Sequence, residues 1–229
     1  MPKKPHQKLT KEAEEYIEEI YRLLQKGKGV ARTSELAEKL NVALGSVTNT
    51  IESLERKGYV IHQPYRGVKL TEKGLKIALK ILRKHRLAER FLTDMLKMNW
   101  IRVHEEACEL EHALTEEVTS KLEEALGNPK VCPHGNPIPT KNGEIKEVPA
   151  KPLPHSNLRK LVTVIRITDE RNEILELLDT YNIKPGRKLS LIENNYANRY
   201  VRVCVGNSDI KLPWKIASAI WVGDVEENV

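Results

Sequence analysis

Apolar residues early in the chain recur at helical spacing. Ile17, Ile20, Tyr21 and Leu24 stand at i, i+3, i+4 and i+7, which predicts a helix burying one face. Leu36, Ala37 and Leu40 mark a second helix in SELAEKL, with Thr33 or Ser34 as its cap. After the short turn NVAL, Val47, Ile51 and Leu54 define a third, stopped by Gly58. YVIHQPYRGVKLT then changes period and reads as two strands around a turn at Pro64–Gly67. Residues 72–126 return to a helical pattern. The segment 127–155, GNPKVCPHGNPIPTKNGEIKEVPAKPLPH, is dense in Pro and Gly and reads as a tether with local turns. Beyond it LVTVIRI (161–167), KLSLIE (188–193), YVRVCV (200–205) and AIWV (219–222) read as short strands. One helical stretch, DERNEILELLDTY, lies among them. Together they predict a small β-barrel-like module.

At 229 residues the chain has room for one to two domains of roughly 150 residues. A composition of 40% hydrophobic and 31% charged residues excludes a collagen-like or wholly disordered chain. No apolar run approaches the ~20 residues of a membrane-spanning helix, so no membrane partner is expected. The opening MPKKPHQKLTKEAEE has no apolar core of a secretory signal. Cys108, Cys132 and Cys204 are too few for a disulfide framework, which points to a reducing, cytoplasmic location. The net charge of +6 is unevenly spread: residues 76–90 carry six Lys/Arg against one Glu, whereas residues 105–126 carry eight Glu against one Lys. Basic segments attract phosphate, and clustered carboxylates attract cations.

Two short helices joined by a tight turn and followed by a hairpin match a winged helix-turn-helix. In that arrangement the second helix enters the major groove. Its outward residues Ser46, Thr48, Asn49 and Thr50 are small hydrogen-bonding types suited to bases or phosphates, and Arg66 and Lys69 on the wing suit backbone phosphate. Thr33 and Ser34 at the start of the preceding helix join this DNA-facing set. Winged helices also serve as protein-contact modules, and that alternative stays open.

The metal chemistry lies in VHEEACELEHALTEEV, residues 103–118. His104, Cys108, Glu111 and His112 fall at i, i+4, i+7 and i+8, within about 100° of one helix face. Nitrogen, sulfur and carboxylate oxygen together suit Fe(II), Co(II), Ni(II) or Zn(II) better than Mg or Ca. His85 and Glu89 form an i, i+4 pair upstream, and Glu15 and Glu18 an i, i+3 pair near the start. Each of these pairs alone is more commonly a charged helix face. In CPHGNPIP, Cys132 and His134 tempt a zinc reading, but the Pro–Gly density favours a fixed turn. Cys204 alternates within a strand and reads as a core residue. HEEAC puts Cys108 where a zinc protease needs its second His, and no G-x-S-x-G or phosphate-binding Gly-rich loop occurs, so no enzyme is expected.

RKHRLAERFLTD, VHEEACELEH and HGNPIP, in that order behind a winged helix, resemble the diphtheria toxin repressor family of metal-dependent transcriptional repressors. The resemblance runs over nearly the whole chain. It implies a mainly α protein with a winged helix-turn-helix DNA-binding domain over 1–72 and a helical metal-binding and dimerisation domain over 73–140. A Pro-rich linker over 141–157 and a small SH3-like (FeoA-like) β-barrel over 158–229 complete it. By position, the family's regulatory metal site falls on Cys108, Glu111 and His112. A first-helix residue completes that site: Met in iron-type members, Asp in manganese-type members, Glu15 here, with Glu18 as a further carboxylate. The ancillary site falls on His85, Glu89 and His104, with Glu170 and Glu173 added from the SH3-like domain. The implied protein is a homodimer that binds double-stranded operator DNA when loaded with metal. Its thiolate favours Fe(II) over Mn(II). A manganese-responsive repressor and a metal-independent winged-helix regulator are the alternatives. Gly45 and Asn49 stand where iron-type members have Pro and Gln, so the operator sequence does not carry over.

Overall fold

The computed structural model describes residues 9–224. Residues 1–8, where the reading for a secretory leader begins, lie outside them. Contacts divide the chain after Lys84, with Pro139–Glu144 belonging to the first unit.

In the first, α1 (Lys11–Leu23) starts at Thr10, whose hydroxyl accepts from the Ala13 N–H at 3.3 Å. Glu12 and Glu14 in its first turn suit the positive helix end. Its predicted apolar face is buried at Ile17, Ile20 and Tyr21. α2 (Thr33–Leu40) is capped differently from the sequence expectation. Arg32 is the flanking residue, and Thr33 already lies inside the helix. The orphan N–H of Arg32 is met instead by the Glu35 carboxylate at 3.4 Å. α3 (Leu44–Arg56) buries Val47, Ile51 and Leu54. A hairpin follows, β1 (Val60–Gln63) against β2 (Gly67–Leu70), with Gln63 opposite Gly67.

The base of this wing is pinned. Ala31 and Val68 exchange two backbone hydrogen bonds, at 2.9 and 2.8 Å. Gly67 has φ 136°, and a Cβ there would meet the Ala31 carbonyl oxygen at 2.5 Å. At the tip, Tyr65 sits in the left-handed region, which costs a non-glycine residue ~1–2 kcal/mol.

α4 (Glu72–Asp94) leads onward, and the second unit continues with α5 (Val103–Ala113) and α6 (Glu116–Ala125). Within the Pro- and Gly-rich segment, residues 131–138 form a fixed turn, as expected for CPHGNPIP, and not an open tether. Cys132 and the run His134–Ile138 are buried. The Cys132 N–H donates to Asn136 O, and the Gly135 N–H to Cys132 O, both at 2.9 Å. Arg86 donates to the Pro137 carbonyl, and the Ile167 N–H donates to His134 O at 2.8 Å. Backbone groups that a tether would leave to water are satisfied internally, so the segment is a packed turn.

The C-terminal module is a six-stranded antiparallel sheet in the order β3-β8-β4-β5-β6-β7. Its strands are β3 (Lys151–Pro152), β4 (Leu161–Ile167), β5 (Lys188–Asn195), β6 (Tyr200–Val205), β7 (Ser208–Pro213) and β8 (Ile220–Asp224). Register shifts at Val164/Arg166 and Leu191/Glu193 bend it. α7 (Asn172–Thr180) packs Leu175 and Leu178 into its core with Val162, Val164, Val201 and Val203. β7 and the short α8 (Trp214–Ala219) were not anticipated. Cys204 is a correction: Val201, Val203 and Val205 take the core face of β6, so alternation turns Cys204 to the other side, where it is half-buried. Among the described residues, no helix is long and apolar enough to cross a membrane.

Candidate metal centre

Four pieces of the second unit deliver donor atoms to one place. The last turns of α4 bring His85 and Glu89, α5 brings His104 and Cys108, the 131–138 turn brings Cys132 and His134, and the stretch after β4 brings Glu170. His85 and Glu89 project from one face because they are i, i+4 on a helix. His134 is aimed inward because its backbone is fixed against Ile167 and its Nε2 meets the Trp100 carbonyl at 2.8 Å. With Nε2 donating there, Nδ1 is left to face the carboxylates.

Glu89 is the hub. Its Oε1 lies 3.1 Å from His85 Nε2, 3.4 Å from His104 Nδ1 and 3.4 Å from His134 Nδ1. Glu170 approaches from the far side, 3.0 Å from His104 Nδ1 and 3.6 Å from His134 Nδ1, and accepts from Asn136 Nδ2 at 2.7 Å. Two donor sets result, His85–Glu89–His104–Glu170 and Glu89–Cys132–His134–Glu170, each with its donor atoms within 4.8 Å of one another.

The electrostatics show how tightly protons are held here. Burial pushes His104 down, but hydrogen bonds to Glu170 and Glu89 outweigh it and lift the imidazole to about 9. His134 resists burial likewise, through Cys132 and both carboxylates, and rises to about 11. Burial, reinforced by the Glu89 charge, carries the Cys132 thiol up to about 12. Glu170 is raised by burial and by Glu89, yet the imidazoles win and hold it at about 2.

These residues fit a divalent transition metal. Glu89 is fully buried, and its Oε2 has no hydrogen-bond partner, a cost no core carboxylate bears without reason. His85 Nε2 and His104 Nδ1 face each other at 3.0 Å, so ring lone pairs and protons crowd one point. Mixed nitrogen, oxygen and sulfur donors are the borderline set.

The stripe on α5 is divided. Glu111 is buried and meets His85 Nδ1 at 2.7 Å and His112 Nε2 at 3.2 Å. Cys108 Sγ lies 3.9 Å from His85 Nδ1 and shares a third donor set with His85 and His104. On α1, Glu18 is buried and accepts from Arg22 at 2.7 Å, while Glu15 is half-buried, 3.9 Å from Lys11. Glu173 is exposed and belongs to none of the donor sets found among the described residues. Sequence reasoning passed over Cys132, His134 and Asn136 as ligand-region residues, although the C-x-H spacing was visible.

Of the residues expected to face DNA, Ser46, Thr48 and Asn49 are exposed on α3, as are Ser34 and the wing residues Arg66 and Lys69. Thr33 and Thr50 are half-buried. Thr48 donates to Leu44 O at 3.1 Å, and Thr50 to Glu12 at 3.5 Å.

Family comparisons agree with this construction. The iron dependent repressor N-terminal DNA binding domain matches residues 8–68, the iron dependent repressor metal binding and dimerisation domain residues 71–140, and the FeoA domain residues 151–223. The chain is 32% identical to the iron-dependent repressor IdeR of Mycobacterium leprae, over 95% of this chain and 99% of that one. Among solved structures, a manganese-dependent transcriptional repressor in complex with manganese superposes with TM-score 0.84 at 29% identity, covering 93% of this chain and all of the other. Thermoplasma acidophilum IdeR gives TM-score 0.79 at 31% identity, over 96% of this chain and all of that one. A winged helix joined to a buried His/Cys/carboxylate centre defines a metal-responsive DNA-binding regulator. The chain belongs to the diphtheria toxin repressor family of iron- and manganese-dependent transcriptional repressors. Members of this family are regulators that bind operator DNA and dimerise, and they are not enzymes.

Proposed function

We propose that this protein represses metal-uptake and homeostasis genes by binding operator DNA as a homodimer when loaded with Fe(II). The observation that carries the reading is the buried centre around Glu89, whose orphan oxygen and converging imidazoles call for a cation. Two thiols, Cys108 and Cys132, beside the imidazoles favour iron over manganese. His85, Glu89, His104, Cys132, His134 and Glu170 would hold one ion. Cys108, Glu111 and His112 would hold the regulatory one, and Glu15 and Glu18 join that site on the strength of the family resemblance. A bound divalent ion supplies charge that neutralises carboxylates otherwise repelling one another. The second copy of the chain is placed on the apolar face of α4 and α5. There Phe91, Met98, Leu110 and Leu114 are only partly covered around Ala88 and Leu92, and Met95 and Leu96 are exposed.

Anaerobic mobility-shift titrations of promoter fragments with Fe(II), Mn(II), Co(II) and Zn(II), with and without chelator, test this. The expected result is a shift that needs metal, with Fe(II) effective at the lowest concentration. Tighter response to Mn(II) would make the chain the manganese-responsive kind, and the carboxylates Glu15 and Glu18 are what favour that second reading. Shifting that ignores chelator would leave a metal-independent regulator. Glu111→Ala and His112→Ala should each abolish metal-activated binding while the dimer survives. Activation retained in both variants would remove the regulatory-site assignment.

A further inference from the structure

The wing carries one residue in an unusual place, Tyr65. Among the described residues, Tyr65 is the most exposed large apolar side chain, at 108% of its reference area. It stands at the hairpin tip with φ 63°. Hairpin loops give a left-handed position to Gly or Asn, and a bulky aromatic there is a genuine outlier. Among the described residues, its ring has no aromatic or cationic partner. Strain and exposure are both borne with no such ring partner among the described residues in return, and outliers of this kind cluster where a chain meets its ligand.

The support beneath the ring is stiff. The Arg66 N–H closes the turn onto Gln63 O at 3.0 Å, and β1 and β2 pair over their full length. Gly67 is wedged against Ala31 at the base. The same hairpin is tied to the recognition helix, because the His62 N–H donates to the Glu55 carboxylate at 2.7 Å. The wing from Val60 to Leu70 contains no Asp or Glu, and Arg66 and Lys69 are exposed beside the tyrosine. A rigid hairpin that carries two cations and an outstretched aromatic, anchored to a helix read as the major-groove reader, matches the chemistry of a duplex. The cations suit phosphates, and the ring suits the sugars and base edges of the neighbouring minor groove.

We propose that Tyr65 is a direct DNA contact, its ring packed on the deoxyribose wall of the minor groove flanking the groove that α3 reads, with Arg66 on the adjacent phosphate. This deepens the repressor reading and rests on it.

The test uses the full chain loaded anaerobically with Fe(II), and in parallel with Mn(II), on random-sequence duplexes long enough for two half-sites, and on the sequence enriched from that pool. Tyr65→Asn keeps the turn, because Asn tolerates the left-handed region. Its thermal midpoint should match or exceed the wild type and its metal binding should be unchanged. Its affinity for the enriched duplex should fall about tenfold, a loss of about 1.4 kcal/mol. Its salt dependence should stay as in the wild type, whereas Arg66→Ala should reduce the salt slope by about one. Tyr65→Phe should keep most of the affinity. A Phe variant as weak as the Asn variant would overturn the packing role. Equal affinity of Tyr65→Asn and wild type overturns the proposal and leaves the repressor reading standing. A wild-type chain that enriches no duplex, with or without metal, overturns both.

Discussion

Three imidazole nitrogens within 3.4 Å of one carboxylate oxygen, Glu89 Oε1, set a competition between protons and metal. His104 and His134, raised to about 9 and about 11, carry protons at neutral pH in the metal-free protein. A cation needs the lone pairs those protons occupy, so loading must release them. The sign follows: each proton displaced lowers affinity about tenfold for every pH unit of acidification below the group's own pKa. Metal affinity at this centre should therefore climb steadily from about pH 6 to about pH 8. Calorimetric titration in two buffers of different ionisation heat reads the proton count directly, and a count of zero would contradict the assignment. Glu89→Gln preserves shape and removes the charge that balances the imidazoles. It should weaken metal at this centre by more than about tenfold while leaving the fold intact.

One element makes the centre possible, the turn at 131–138. Its geometry depends on Gly135, which has φ 83° and where a Cβ would come 2.1 Å from the Ile165 carbonyl oxygen. Gly135→Ala cannot be absorbed by a side-chain adjustment, since the obstacle is backbone. The expected cost is about 2 kcal/mol or more, read as a lower thermal midpoint, together with weakened metal binding through His134 and Cys132. An unchanged midpoint would show the turn to be looser than drawn. The same element shows where sequence reading reached its limit. The helices of the first unit announce themselves through Ile17/Ile20/Tyr21 and Val47/Ile51/Leu54, because a single buried face writes its period into the chain. β4 and β6 are equally legible, since Val162/Val164 and Val201/Val203 alternate cleanly. β7 has only Ile210 and Leu212 inward, among Lys211 and the acidic Asp209, too short a pattern to stand out. Cys132 and His134 were visible as a C-x-H pair, but their partners Glu89 and Glu170 lie far off in sequence. Only tertiary packing of the turn against β4 and α4 brings the four together, and no local period encodes that.

For the molecule as a whole, repression needs two readers held at the spacing of successive major grooves, roughly 34–36 Å, and one chain supplies one reader. The second copy is what turns a weak single contact into a strong one, because linked binding sites act at a raised effective concentration. The face proposed for that copy combines partly covered Phe91, Leu110 and Leu114 with the exposed Met95 and Leu96 just after α4. Apolar side chains of that size standing together in water are expected where another protein covers them. Met95 is 56% exposed in the single chain, so changing it does not disturb the core that Ala88 and Leu92 build. Met95→Glu should therefore leave the thermal midpoint of the isolated fold and its metal binding close to wild type. It should shift sedimentation from dimer to monomer at micromolar concentration, since a buried, unpaired carboxylate is costly at an apolar contact. Operator affinity should then fall by about a hundredfold or more, with residual binding that no longer distinguishes two half-sites from one. A Met95→Glu chain that still sediments as a dimer would move the interface elsewhere. One that is monomeric yet binds the operator as tightly as wild type would separate dimerisation from DNA reading altogether.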